Sequence, residues 1–154
     1  VTHNDTKLNN VMLRADTRAP LCVIDLDTTM PGLSAYDFGD SIRFGAAVAK
    51  EDEKDLGKVC MSLDLFRIYA RGFLKACPGL TEKEKEVLPL GALIMTLECG
   101  VRFLTDYLDG DHYFTCYSNG QNLNRCRTQF KIVADMEAKW EQMAAIIKEE
   151  SENI

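Results

Sequence analysis

A chain of 154 residues, 46% hydrophobic and 27% charged, is long enough for one core and buries about 70% of the surface its unfolded form exposes. Its net charge of −6, with no basic stripe to override it, argues against nucleic acid as a partner. No apolar run reads as approaching the roughly 20 residues of a membrane span. The six cysteines are scattered singly and read as buried free thiols in a reducing cytoplasm, not as a disulfide frame or zinc site.

The first ten residues hold His3, Asp5 and Asn10 in the pattern H-x-D-x-x-x-x-N. A phosphotransferase catalytic loop needs that spacing: Asp5 takes or orients the proton of an attacking hydroxyl, and Asn10 offers an amide oxygen to a metal ion holding the ATP phosphates. Lys7, two residues after the base, is placed to stabilise charge on the transferring phosphoryl group. His3 is expected to brace the loop. Val11–Leu13 and Leu21–Ile24 flank a turn at 15–20 and predict a small hairpin. The returning strand ends on Asp25, with Asp27 just beyond. Asn10, Asp25 and Asp27 would therefore collect at one end of the hairpin, as hard oxygen ligands suited to Mg²⁺. Residues 28–34 are irregular, with Pro31-Gly32 marking a turn. Asp37-Phe38-Gly39 spells D-F-G, but it lies well past the strand end and leads into a helix. Asp25 therefore takes the metal position, and Asp37 is expected to brace the catalytic loop from below.

Helical spacing runs from Asp37 to about Lys50, with Ile42, Ala46 and Ala49 on one face and Phe44 on another, toward a substrate cleft. The charged run 51–55 reads as a solvated loop. Ser62 is an N-cap for a helix ending at Cys77, with Leu65, Phe66, Tyr69, Ala70 and Phe73 facing the core. Thr81 and Glu84 fit a capping box, and Pro89 suits the first turn of a new helix to Leu108. In that helix Leu90, Leu93, Ile94, Leu97, Val101, Leu104 and Leu108 are predicted to be buried, and Arg102 and Asp106 are spaced for an i,i+4 ion pair. His112 lacks a metal-binding partner and reads as a surface or hydrogen-bonded side chain. One long helix over 123–148 closes the chain, its core stripe running through Phe130, Val133, Met136, Trp140, Met143 and Ile147.

The stretches His3–Asn10, Val23–Thr28 and Tyr36–Asp40 resemble the aminoglycoside phosphotransferase and choline kinase superfamily, and Gly100–Leu108 and Asn122–Phe130 resemble its N-acetylhexosamine 1-kinase branch. The resemblance implies a mainly α fold with a small β-hairpin, the C-terminal lobe of a protein-kinase-like architecture. Residues 1–154 would form one domain: 1–28 as catalytic loop and metal-binding hairpin, 36–154 as a helical substrate-binding subdomain. In such kinases the nucleotide lobe precedes the catalytic loop, so the chain reads as the C-terminal piece of a longer enzyme, inactive alone. The expected co-substrate is ATP with Mg²⁺, and the expected acceptor is the anomeric hydroxyl of an N-acetylhexosamine reached by Arg102. A homodimer would form through the surface that the other lobe covers. Two alternatives stay open: a choline, aminoglycoside or other small-alcohol kinase of the same superfamily, and a helical interaction module without catalysis.

Overall fold

The computed structural model describes residues 1–153, a two-stranded antiparallel hairpin followed by six α-helices. This mostly helical composition with one hairpin is compatible with a kinase-like fold. Strand β1 (Val11–Leu13) pairs with β2 (Pro20–Val23), Val11 opposite Val23 and Met12 opposite Cys22, before a register shift sets Leu13 against Pro20. Proline is tolerated there because both strands of a two-stranded ribbon are edges. The Ile24 N–H donates to the Asn10 carbonyl at 2.9 Å, so the chain leaves β2 beside Asn10.

Helix α1 (Ser34–Gly45) stops five residues short of the expected Lys50. The following segment pairs instead with residues 60–61: Ala47 bridges Met61, and the Val48 N–H donates to the Cys60 carbonyl at 3.1 Å. Helix α2 (Leu63–Ala76) opens on Ser62, whose hydroxyl accepts the Leu65 N–H. Helix α3 (Glu82–Glu86) opens on a reciprocal capping box between Thr81 and Glu84. Helix α4 (Leu88–Asp109) has Pro89 in its first turn and ends at Gly110, at φ 102°, a left-handed conformation that glycine adopts without penalty. The single closing helix expected over 123–148 is two, α5 (Gln121–Ala138) and α6 (Trp140–Glu152). The break at Lys139 has a tertiary cause: its ammonium donates to the Met61 carbonyl at 2.7 Å and to Asp135 at 2.6 Å, and Asp135 accepts the Met61 N–H at 2.8 Å.

Helix α4 lies against both α1 and α5, while α2 packs on α6 and α1. The Phe38 ring meets Phe66 edge-on at 5.6 Å and Phe73 at 5.3 Å, and Ile42, Leu88, Ile132, Met136 and Met143 complete the core. The buried face of α4 is not the predicted one. Gly91, Ala92, Thr96, Gly100 and Phe103 point inward, whereas Leu90, Ile94, Leu97, Val101 and Leu108 are exposed. The cause is proximity: α1 and α4 approach so closely that a Cβ on Gly39 would lie 2.3 Å from the Gly91 carbonyl oxygen. Small residues must occupy that face. Helix α4 is also long and apolar enough to cross a membrane, which corrects the reading that no run approaches a span; its packing between α1 and α5 marks it as a core helix. All six cysteines are unpaired, but only Cys126 is buried and Cys22 is exposed on the hairpin, so burial holds for one thiol alone.

Glu150 on α6 is buried and accepts from Arg71 Nε at 2.8 Å, Arg71 Nη2 at 3.1 Å and Arg67 Nη1 at 3.0 Å. The Arg71 hydrogen bonds, working with Arg67 against burial, hold its carboxyl at about 2, below its ordinary 4.5. A carboxyl depressed by folding stabilises the fold above its unfolded pKa and loses that contribution as pH falls through the folded value. The α2–α6 contact should therefore weaken as pH falls from about 4.5 to about 2. In urea titrations across that window, Glu150→Gln is expected to show a flatter pH dependence than the wild type.

Candidate active site

The loop at residues 2–6 is fixed from two sides. The Asp37 carboxylate, in the first turn of α1, accepts the His3 N–H at 2.9 Å and the Asn4 N–H at 2.8 Å. From the other side, the Asn4 amide donates to the Thr28 carbonyl at 3.0 Å, and the Thr28 hydroxyl donates to the His3 carbonyl at 2.6 Å. These bonds hold Asn4 at φ 65°, a left-handed conformation that Asn tolerates better than most residues. His3 Nδ1 accepts the Asp5 N–H at 3.2 Å, so Nε2 carries the proton and donates to the Ile24 carbonyl at 3.1 Å. The imidazole thereby ties the loop to the end of the hairpin.

Asp5 Oδ2 accepts from Lys7 Nζ at 2.8 Å and Asn10 Nδ2 at 2.7 Å. Burial pushes this carboxyl up, but the Lys7 and Asn10 hydrogen bonds, with the charges of Lys7 and Arg43, outweigh it and hold Asp5 below the usual 3.8. The carboxylate is therefore ionised at neutral pH. Asn10 Nδ2 also donates to the Asp5 carbonyl at 2.9 Å, and Asn10 Oδ1 accepts no hydrogen bond among the described residues.

Asp25 and Asp27 are exposed just past β2, with Asp25 at φ 63°. The neighbouring Asp27, by hydrogen bond and by charge, pushes the Asp25 carboxyl up; slight desolvation and the Asp5 charge add to this and Lys7 opposes it. Crowded carboxylates beside an unpaired amide oxygen form a hard-oxygen donor set that fits Mg²⁺. Among the described residues no three His, Cys, Asp or Glu side chains converge as a metal cage. Phosphate oxygens and water would complete the coordination, as is usual for Mg²⁺.

Asp5, Lys7, Asp25 and Asp27 line a cavity of about 540 Å³. Side chains from α1, α4, α5 and the loops between them share the lining: Arg43, Phe44, Glu51, Arg102, Tyr113 and Arg125. Cys99 also lines it, half-buried, its thiol pushed up to about 11 by burial although Arg43 pulls the other way. A cavity of about 610 Å³ between α3 and α6 is larger. It holds lysine and glutamate side chains with none of the loop residues, so chemistry and not volume identifies the site.

The expected Arg102–Asp106 ion pair does not form. The Asp106 carboxylate turns inward and accepts the Tyr113 N–H at 2.8 Å, the Phe114 N–H at 2.9 Å and Asn122 Nδ2 at 2.7 Å. Burial would raise its pKa, but the backbone donors of Phe114, Tyr113 and His112, with Asn122, hold it below the usual range. Arg102 instead sits 3.7 Å from Glu98 and stacks over Tyr113 and Phe114, at 5.5 and 5.4 Å from the ring centroids. The 51–55 run is not merely solvated: Glu51 accepts from Arg43 at 2.9 Å, and Asp52 accepts from Gln121 at 2.9 Å. Arg43, Glu51, Asp106 and Arg125 have no motif around them; only their convergence in space brings them together.

Asp106 anchors the aromatic wall without facing the cavity. Asp106→Ala should release Tyr113 and Phe114 and cost about 1.5–3 kcal/mol of stability, the scale of a hydrogen bond to a charged group. Urea denaturation of the variant beside the wild type checks this.

A family model described as the phosphotransferase enzyme family (APH) matches residues 1–58. The match covers the loop, the hairpin, α1 and the charged segment that carries Glu51. Over that stretch the chain is similar to phosphotransferase-like kinases. The match stops short of α4 and α5, so it takes in Arg43, Phe44 and Glu51 of the cavity lining and leaves out Arg102, Tyr113 and Arg125.

Proposed function

We propose that this chain is the acceptor-binding and catalytic lobe of an ATP-dependent small-molecule kinase, acting on the anomeric hydroxyl of an N-acetylhexosamine. One observation carries the reading: an ionised Asp5, on a loop held by Asp37 and paired with Lys7 and Asn10, lines a cavity together with arginine and aromatic side chains. The substrate class rests on the sequence resemblance and on that lining.

In this mechanism the acceptor hydroxyl lies against Asp5. A carboxylate held below the usual pKa is a weak base, so Asp5 acts first by orienting the hydroxyl and accepts its proton late, as a loose transition state allows. Lys7 holds Asp5 in its ionised form and places positive charge where the phosphoryl group passes. Arg102 and Phe44 face the sugar. Mg²⁺ held by Asn10 Oδ1, Asp25 and Asp27 would neutralise phosphate charge. Adenine and the triphosphate clamp belong, in this reading, to a lobe outside these residues.

The test is phosphoryl transfer from ATP to N-acetylglucosamine, N-acetylgalactosamine, choline and an aminoglycoside, by the full-length gene product and by the 154-residue chain. Transfer to the N-acetylhexosamines by the full-length protein alone is expected. Transfer only to choline or the aminoglycoside would overturn the substrate class, and no transfer to any acceptor would overturn the kinase reading.

A further inference from the structure

Asn119 is the one asparagine in the chain that a glycine follows. Asn119-Gly120 ends the loop between α4 and α5. Asn119 is exposed, and Gly120 caps α5 at φ 70°, a left-handed backbone that glycine adopts without penalty. Among the described residues the Asn119 side chain makes no hydrogen bond, and the Gly120 N–H donates none. A Cβ built on Gly120 would meet nothing within 4 Å, so no packed neighbour crowds the glycine.

Asp109-Gly110, at the other end of the same loop, shows the opposite condition. Asp109 is the last residue of α4, and the Gly110 N–H donates to the Tyr107 carbonyl at 3.4 Å and is shared with that of Asp106. That nitrogen attacks a side chain only if the helix cap is broken first. The bonds around Asn119 belong to its neighbours. The Gln121 N–H donates to the Ser118 carbonyl at 3.3 Å, Gln121 Oε1 accepts the Tyr117 N–H at 2.7 Å, and Gln121 Nε2 donates to Asp52 at 2.9 Å. Tyr117 lines the cavity, so the length of backbone from 117 to 121 sets where one aromatic of the wall stands.

We infer that Asn119 is a site of spontaneous covalent modification, by closure of its side-chain amide on the Gly120 nitrogen, and that the product loosens the cavity wall at Tyr117. The Gly120 nitrogen gives up its proton and bonds to Asn119 Cγ. The Cγ–Nδ2 bond breaks, and ammonia leaves with the displaced proton. Water then opens the cyclic imide at one of its two carbonyls. Opening at Cγ leaves aspartate on the original backbone; opening at the main-chain carbonyl leaves isoaspartate, whose main chain runs through Cβ and Cγ and is one atom longer. Both products carry a negative charge beside the N-terminus of α5, where the helix dipole favours it, so the fold survives. Only isoaspartate lengthens the segment that the Tyr117–Gln121 bond closes. The chemistry holds whether or not the protein is a kinase.

The test is incubation of the full-length protein at mildly alkaline pH, folded and in urea. Peptide mass spectrometry reads the amide-to-acid mass shift, and an isoaspartyl methyltransferase reads isoaspartate. Asn119 should convert at similar rates in the folded and unfolded chain, whereas Asp109 should isomerise only in urea. Asn119→Gln should lose the modification, because its longer side chain does not close the same ring. In the aged protein, hydrogen exchange should show the Tyr117 N–H losing protection. Asn119→Asp adds the charge without lengthening the backbone and should keep wild-type protection there. An Asn119 that stays intact in the folded protein while the unfolded chain converts would overturn the inference, as would isoaspartate forming at Asp109 as fast as at Asn119 in the folded state. Isoaspartate at Asn119 with Tyr117 still protected would overturn its effect on the wall.

Discussion

Asp5→Asn in the full-length protein is expected to lower kcat by about 10²–10⁴-fold, the usual contribution of a positioned acid or base. The asparagine still offers an oxygen to Lys7 and Asn10 Nδ2, which now meet Asp5 at 2.8 and 2.7 Å. The loop itself is held by Asp37 and Thr28, so the thermal midpoint should stay close to that of the wild type. Nucleotide and acceptor KM values should move little, since the cavity keeps its shape. Residual activity above background is part of the expectation, because positioning survives without the charge. Wild-type kcat in Asp5→Asn would remove Asp5 from the chemistry.

Gly39→Ala should destabilise the fold by about 3 kcal/mol, at the upper end of the usual overpacking cost, and lower Tm by about 6–12 °C on the scaling for chains of this size. The new methyl would lie 2.3 Å from the Gly91 carbonyl oxygen and 2.8 Å from Met95 Cγ. Met95 can swing aside; the α4 backbone cannot move without shifting its contact with α5. Gly72 is the control. It sits on α2, and a methyl added there would meet nothing within 4 Å, so Gly72→Ala should stabilise by about 0.5–1 kcal/mol through helix propensity alone. Differential scanning calorimetry of the two variants beside the wild type reads both effects. A Gly39→Ala variant as stable as Gly72→Ala would contradict the close α1–α4 approach.

That approach also marks where the sequence could be read and where it could not. Caps are local chemistry, so Ser62, the Thr81–Glu84 box and Pro89 announced their helices within a residue or two. The hairpin was legible for the same reason, since two short apolar runs and a Pro-containing turn lie close together in the chain. The face of α4 was not, because large aliphatic residues are a cue for burial only where there is room for them, and here α1 and α5 admit glycine, alanine and threonine. Lys139 shows the complementary limit. Nothing at that position breaks a helix by propensity; the break comes from Met61, far away in sequence. In the site, the loop residues Asp5, Lys7 and Asn10 are close in the chain and could be named together. Arg43, Glu51 and Arg125 arrive from two helices and a loop, so their partnership could not be read before the fold was known. Asp106 was noticed only for its spacing from Arg102, which paired it with the wrong partner.

Cys99 and Cys22 give the molecule two clocks. Alkylation needs the thiolate, and Cys99, held up at about 11, is almost wholly protonated at neutral pH and half-hidden in the cavity wall. Cys22 stands exposed on the hairpin. A single small reagent should therefore label the hairpin early and the wall late, the lag set by the small thiolate fraction of Cys99 and its shelter in the wall. A sugar seated in the cavity should lengthen the second time and leave the first alone, reporting occupancy without any turnover.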